Sequence, residues 1–259
     1  MELKLLTKGK DKITFLLKGV DISYANTLRR IMMAEVPTLA IEDVEFKANN
    51  SILYDEIVAH RLGLVPIKTD LKSYNFVEEC KCKGKGCGHC QLKLTLKTKG
   101  VGYVYAGDMK SKDPNCKPVY PKTPISKIID KQEMQFEATA ILGVGKEHAK
   151  WSPGLVFYKY NPIVKINKNP DNAEEIEAKC PARVFDLKKD KLSVNAKNES
   201  ACILCNECVE LSNDQIELQN SDEFIFTVES WGQLDPKEMV VKAFEIYNKQ
   251  IDEFTKQLK

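Results

Sequence analysis

The segment Cys202-Ile203-Leu204-Cys205-Asn206-Glu207-Cys208 constrains this chain more than any other. Three thiols at i, i+3 and i+6 wrap one iron–sulfur cluster from a single loop, and the fourth ligand of such a site is remote and followed by proline. Cys180-Pro181 supplies that fourth position. The remaining cysteines are also organised. Cys80, Cys82, Cys87 and Cys90 form a second group of four, and only Cys116 stands alone among the nine. Disulfide staples belong to small secreted domains that lack a core. With 259 residues, 43% of them hydrophobic, this chain has material for a sizeable core, so metal ligation in a reducing compartment is the better reading. A cytoplasmic location is expected.

Other classes are disfavoured on simple grounds. No apolar run approaches the ~18–20 residues of a membrane span, and residues 1–18 alternate like strands without a signal-peptide core. The formal net charge is only +2, with 29% charged residues of both signs. A chain that clamps duplex DNA by itself shows a stronger basic excess, which argues against the lysine-rich loops at 81–85 and 146–150 as a primary DNA site.

In two-cluster ferredoxins each half contributes three close cysteines and a fourth, before proline, that serves the other cluster. Here the upstream half retains only Cys180-Pro181. The downstream half keeps its triplet, and Ser212-Asn213 stands where its own Cys-Pro would be. One site is erased and the other is complete. A 4Fe–4S cluster on Cys180, Cys202, Cys205 and Cys208 is expected, with a 3Fe–4S cluster as the alternative if Cys180 binds weakly; four unliganded thiols and a zinc site, to which the i, i+3, i+6 triplet is a poor match, are the competing readings. The first group, Cys80-x-Cys82 followed by Cys87-x-x-Cys90, suits one tetrahedral Zn²⁺. Gly84, Gly86 and Gly88 permit the tight turns it needs, and His89 is an alternative ligand. A flexible lysine-rich loop with free thiols is the competing reading. Four protein ligands leave no open position for a catalytic water, so such a zinc is structural.

Hydrophobic periodicity places the remaining elements. Residues 2–20 read as a hairpin turning at Gly9-Lys10. A helix follows, capped by Asp21 or Ser23 and stopped by Pro37. Residues 39–47 and 51–54 read as strands, and Asp55–Leu62 as a helix with Gly63 at its C-terminal cap. Further strands are expected at 91–98, 133–142, 155–166 and 223–229, with a loop-rich stretch at 103–124. Short strands at 184–185 and 216–218 flank the second ligand set. From Asp235-Pro236 a helix runs to the C-terminus. Its apolar residues Val240, Phe244, Tyr247, Ile251, Phe254 and Leu258 step by 4, 3, 4, 3, 4, a heptad seam that serves either a partner helix or an internal core.

Four ordered segments carry a family resemblance. They are Tyr24–Ile41, containing Leu28-Arg29-Arg30; Asp55–Ile67; Gly143–Pro153, containing His148-Ala149-Lys150-Trp151; and Phe226–Gly232. Together they resemble the α-like assembly subunits of cellular RNA polymerases, most closely the archaeal D-type group in the form with a ferredoxin-like insert.

The resemblance implies an α+β fold: a dimerisation domain of antiparallel sheet plus helices (1–47 and 221–259), a β-rich insert domain with the zinc loop (48–166) and a ferredoxin-like iron–sulfur module (167–220). It implies a non-catalytic assembly subunit that heterodimerises with subunit L through the C-terminal helix. Subunit N and the two large catalytic subunits join that pair, and DNA is met only through the complex. Arg29 and Arg30 match a tract that looks towards a large subunit; a solvated basic helix face is the plain alternative. The Mg²⁺-binding carboxylates of nucleotidyl transfer reside in the large subunits, so the chain itself is expected to carry no catalytic residue. A different class of function, a ferredoxin-like electron carrier fused to a partner-binding domain, accounts only for residues 167–220.

Overall fold

The computed structural model describes residues 1–258. In chain order the elements are β1 (Glu2–Lys8), β2 (Lys12–Lys18), α1 (Ile22–Ala34), β3 (Thr38–Asn49), α2 (Asp55–Gly63), β4 (Gln91–Lys99), β5 (Gly102–Tyr105), β6 (Lys110–Ser111), β7 (Pro124–Ile128), β8 (Glu133–Gly143), β9 (Gly154–Ile166), α3 (Ala173–Lys179), β10 (Phe185–Lys188), β11 (Lys191–Val194), α4 (Glu207–Leu211), β12 (Ile216–Ser230) and α5 (Pro236–Gln257). The fold is α+β, as expected. The described chain divides into two compact units, Met1–Lys8 with Thr14–Ala25 and Phe157–Thr227, and Gly9–Ile13 with Asn26–Val156 and the described residues from Val228 onwards.

The first unit contains most of a sheet ordered β1-β2-β12-β9. Alternation on β2 buries Phe15 and Leu17, and Phe15 stacks on Phe226 of β12 at 5.2 Å. Tyr158 of β9 closes on the same ring at 5.2 Å, so three strands are locked by one aromatic cluster. The edge strand β1 is exposed along its whole length. Beyond β9 the chain leaves the sheet, forms α3, the β10-β11 hairpin and α4, and returns as β12. These elements enclose their own small core of Val164, Ile176, Val184, Phe185, Leu192 and Ile216.

The second unit is built on an antiparallel sheet, β3-β8-β4-β6. Bulges on β3 fall between Ile41 and Asp43 and between Phe46 and Ala48. Leu92, Leu94 and Leu96 point to one face, and Leu39, Ile41, Val58, Leu62, Phe136 and the lone Cys116 join them in a dry core. The segment Gly143–Pro153 is a clamp. Thr38 Oγ1 donates to the Trp151 carbonyl at 2.7 Å, Lys150 Nζ lies 4.4 Å over the Trp151 ring and donates to the Ile41 carbonyl at 3.0 Å, and it pairs with Glu42. The Lys146 N–H donates to the Ala34 carbonyl at 2.8 Å, satisfying an end group of α1. Gly154 allows a close backbone approach, because a Cβ there would lie 2.0 Å from the Glu229 carbonyl oxygen. Asp235 caps α5 by accepting from the Lys237 N–H at 2.8 Å, with Pro236 at the first position.

Local expectations needed correction in three places. Residues 51–54 are not a strand: β3 runs on to Asn49, whose amide donates to the Leu53 carbonyl and to Asp55, turning the chain directly into α2. Gly63 lies inside α2, and Leu64 is the cap, with right-handed backbone. The segments 216–218 and 223–229 are one continuous strand, β12.

Candidate metal centres

The first cysteine group closes on itself immediately before β4. The Cys80–Cys87 and Cys82–Cys90 sulfurs are each 3.6 Å apart, and Cys87–Cys90 are 3.9 Å apart. A regular tetrahedron of about 2.3 Å Zn–S bonds requires S···S distances of about 3.8 Å, so these three spacings are compatible with a tetrahedral zinc site. All four ligand atoms lie within 4.8 Å of one another. The backbone makes this possible: Lys83, Gly84 and Gly86 take positive φ of 54°, 81° and 80°, and the Cys87 N–H reaches the Cys90 sulfur at 3.3 Å. His89 stays outside the set and contributes only its carbonyl, to the Asn75 N–H at 2.8 Å. Burial resists ionisation of Cys82, yet the hydrogen bonds of Cys80 and Cys90 outweigh it and bring that thiol down to about 7. Burial pushes Cys90 up to about 12.

The second group is arranged differently. Cys180, Cys202, Cys205 and Cys208 all line one small pocket, walled mainly by apolar side chains such as Val164, Ile176, Ile203, Leu211 and Leu218, with Lys179 and Glu207 also lining it. Among the described residues only the first group has all its ligand atoms within 4.8 Å of one another, so the second set is more open than a mononuclear site requires. The loop wraps the pocket because Leu204 and Asn206 adopt left-handed conformations, φ 58° and 63°. Burial raises the Cys208 thiol to about 11, and the neighbouring Cys202, Cys205 and Cys180 add to that shift. Four thiolates in so apolar a pocket would need a cation between them, and a four-thiol donor set of this kind fits an iron–sulfur cluster. Lys159 on β9 donates to the Cys202 carbonyl at 2.8 Å; burial lowers its pKa and the Cys202 thiolate opposes that. Neither Lys159 nor Glu199, whose carboxylate accepts the Val164 N–H at 3.1 Å, had a signature in the motif, because both act through the fold rather than through spacing. Ser212, at the position of the missing cysteine, is 1% exposed; its hydroxyl donates to the Val209 carbonyl and accepts the Ile216 N–H. At that position the side chain serves as a local hydrogen-bonding group.

The partner-facing residues fall into two kinds. Along α5, Val240 is buried, Phe244 and Tyr247 are half-buried, and Ile251, Phe254 and Leu258 are exposed. Arg29 is spent on its own helix, donating to Asn26 Oδ1 at 3.0 and 3.1 Å and approaching the Met33 sulfur, whereas Arg30 is exposed. No helix among the described residues is long and apolar enough to cross a membrane.

Comparison with known proteins places the chain in one class, the α-like subunits of RNA polymerases. Residues 43–155 match the family model described as the RNA polymerase Rpb3/RpoA insert domain. The chain is 39% identical to the DNA-directed RNA polymerase subunit Rpo3 of Methanosphaera stadtmanae, covering 97% of this chain and 96% of that one. It is 38% identical to Rpo3 of Archaeoglobus fulgidus, covering 98% and 97%, and 36% identical to the DNA-directed RNA polymerase II subunit rpb3 of Dictyostelium discoideum, covering 99% and 94%. The chain belongs to the Rpo3/Rpb3 family of DNA-directed RNA polymerase subunits. These names correct one expectation: the matched archaeal relatives are designated Rpo3, so the D-type assignment drawn from the four sequence segments is replaced by Rpo3.

Proposed function

We propose that this chain is a non-catalytic assembly subunit of a DNA-dependent RNA polymerase. In this reading α5 pairs with a small α-like subunit of the subunit L type, and the pair then receives a subunit of the N type and the two large catalytic subunits. DNA is met only through the complex. The observation that carries the reading is the split character of α5. Its first turns are packed into the chain, while Ile251, Phe254 and Leu258 continue the same seam into solvent, as an unfilled half of a helix pair does. The family relationship supports the polymerase context, since the relatives carry the names of polymerase subunits over nearly their whole length.

The residues 1–47 and 221–259 then act as the dimerisation domain, 48–166 as the insert domain stapled by zinc on Cys80, Cys82, Cys87 and Cys90, and 167–220 as the iron–sulfur module. Both groups serve structure, because ligated metal contributes folding free energy to segments with little core of their own. The test is affinity isolation of the tagged chain from its native cells. Stoichiometric recovery of a small α-like subunit and the polymerase large subunits is the expected result. Recovery as a free monomer that shuttles electrons refutes it.

A further inference from the structure

An open cleft of about 530 Å³ in the second unit belongs neither to a metal centre nor to the α5 stripe. Three cations line it: Lys10 at the tip of the β1-β2 hairpin, Lys68 beyond α2, and Lys117 in the loop between β6 and β7. The backbone sets two of them face to face. Ile67 and Pro118 form an antiparallel bridge, and the Lys68 N–H donates to the Lys117 carbonyl at 2.9 Å, so these lysines stand opposite each other on one side of the pairing. Like charges so placed destabilise a fold. Among the described residues none of the three ammonium groups is in an ion pair. The cleft also holds the exposed ring of Tyr120, the amide of Asn115 and the carboxylate of Asp11. None of those three side chains is hydrogen-bonded to another described residue.

We propose that this cleft binds a nucleoside polyphosphate. Lys10, Lys68 and Lys117 take the phosphate chain, for which the ammonium group serves as a compact point charge. An anion between the opposed lysines removes their repulsion, so occupancy also stabilises the fold. Tyr120 offers its ring face to the base. Asp11 selects against a plain polyanion. Its carboxylate only accepts hydrogen bonds, which ribose hydroxyls and base amino groups can donate and inorganic phosphate or acidic side chains cannot. Asn115 both donates and accepts, as reading a base edge requires. The size agrees, since small-molecule clefts run to about 300–1,000 Å³. A nucleic-acid strand shares this chemistry but needs a basic track leading out of the cleft, and the formal net charge of the chain is only +2. The site stands independently of the assembly role and of both cysteine groups.

The experiment titrates the full chain by calorimetry, in low salt without magnesium, with four probes: ATP, inorganic triphosphate, a single-stranded oligonucleotide and an oligoglutamate peptide. Melting temperatures are recorded beside it. ATP should bind about tenfold or more tighter than triphosphate, because the base stacks on Tyr120. Tyr120→Ala should remove that difference and leave triphosphate affinity unchanged. Lys68→Gln with Lys117→Gln should weaken both ligands about tenfold or more. The same double variant should melt higher than the parent when empty, and should lose the rise in melting temperature that ATP gives the parent. Lys10→Gln, in an exposed turn, should weaken both ligands with no change in the melting of the empty chain. Absence of any ATP-dependent heat or melting shift overturns the proposal. So does ATP affinity indifferent to all three lysine substitutions, ATP and triphosphate binding equally, or tighter binding of the oligonucleotide or the peptide than of ATP.

Discussion

The double substitution Ile251→Ala with Phe254→Ala separates a partner-facing stripe from an internal one. In the chain alone these side chains are 45% and 62% exposed. Fully burying such a side chain is worth about 1.5–3 kcal/mol, so covering the exposed fractions contributes about 2–3 kcal/mol to association. Alanine keeps a small part of that, which leaves a loss of about 2 kcal/mol, or roughly thirtyfold in Kd. The folded monomer should not suffer, because alanine is the better helix former at both positions and little packing is removed. Met239→Ala is the contrasting control. Met239 is fully buried on the same helix, and its truncation should cost about 2–5 kcal/mol of folding stability. Titration against a purified small α-like polymerase subunit reads the affinity, and chemical denaturation of the single chain reads the fold. If the double variant unfolds as early as Met239→Ala and binds with unchanged affinity, the exposed stripe is not a docking face.

Three further outcomes are expected. Cys90→Ser should abolish stoichiometric zinc, read by elemental analysis, and loosen residues 80–90 in hydrogen exchange while amides of β8 stay protected. Gly154→Ala should lower the melting temperature by the equivalent of about 1–3 kcal/mol, because the new Cβ meets the Glu229 carbonyl; an unchanged melting curve refutes the close approach. The Cys116 thiol is raised by burial, with Asp113 adding to it, from 9.0 to about 12. The folded chain holds that proton more tightly than the unfolded one, so the contribution is complete below pH 9.0 and is lost as pH rises towards about 12. Cys116→Ala should flatten that alkaline decline in denaturant titrations by up to about 1.4 kcal/mol per pH unit.

What was legible in the sequence was whatever is encoded locally. The knuckle at 80–90 could be read because all four donors and the turn glycines lie in one short segment, and α5 because its cap, its proline and its seam are periodic. The three-thiol loop was legible for the same reason. The Ser212 hydroxyl, the Lys159 contact and the clamp of Lys150 on Trp151 were not, since each joins residues whose separation carries no period. Most of the module's own secondary structure was also hidden, beyond the short strand expected at 184–185. The helix α3 and the β10-β11 hairpin are short and polar, and what orders them is a shared core contributed by both flanking strands. The long strand β12 was divided because Gln219 to Asp222 look like a loop, yet pairing in the sheet overrides their low strand preference.

The manner of insertion decides how independent the second cysteine module is. Strands β9 and β12 are neighbours in the sheet, and the Asn167 N–H donates to the Gln215 carbonyl at 2.9 Å. The module therefore leaves and returns at one point, in place of a hairpin turn, where insertions disturb a fold least. Excising residues 168–214 and closing the strands with Asn-Gly should leave the sheet intact, since closing a shorter loop costs less entropy. Val164 and Ile216 lose their cover in that variant, because both belong to the module core, and changing each to Thr should restore solubility. The excised chain should bind no iron, keep its zinc and keep its affinity for the small α-like subunit. The opposite result is as informative. Lys159 and Glu199 tie the turn before Cys202 to β9, and if those ties set the strand's position, excision will weaken partner binding although α5 is untouched. Partner affinity measured on the excised chain beside Lys159→Met in the full chain distinguishes the two: a loss in both makes the cluster module a mechanical part of the assembly platform, and a loss in neither makes it a passenger at a hairpin tip.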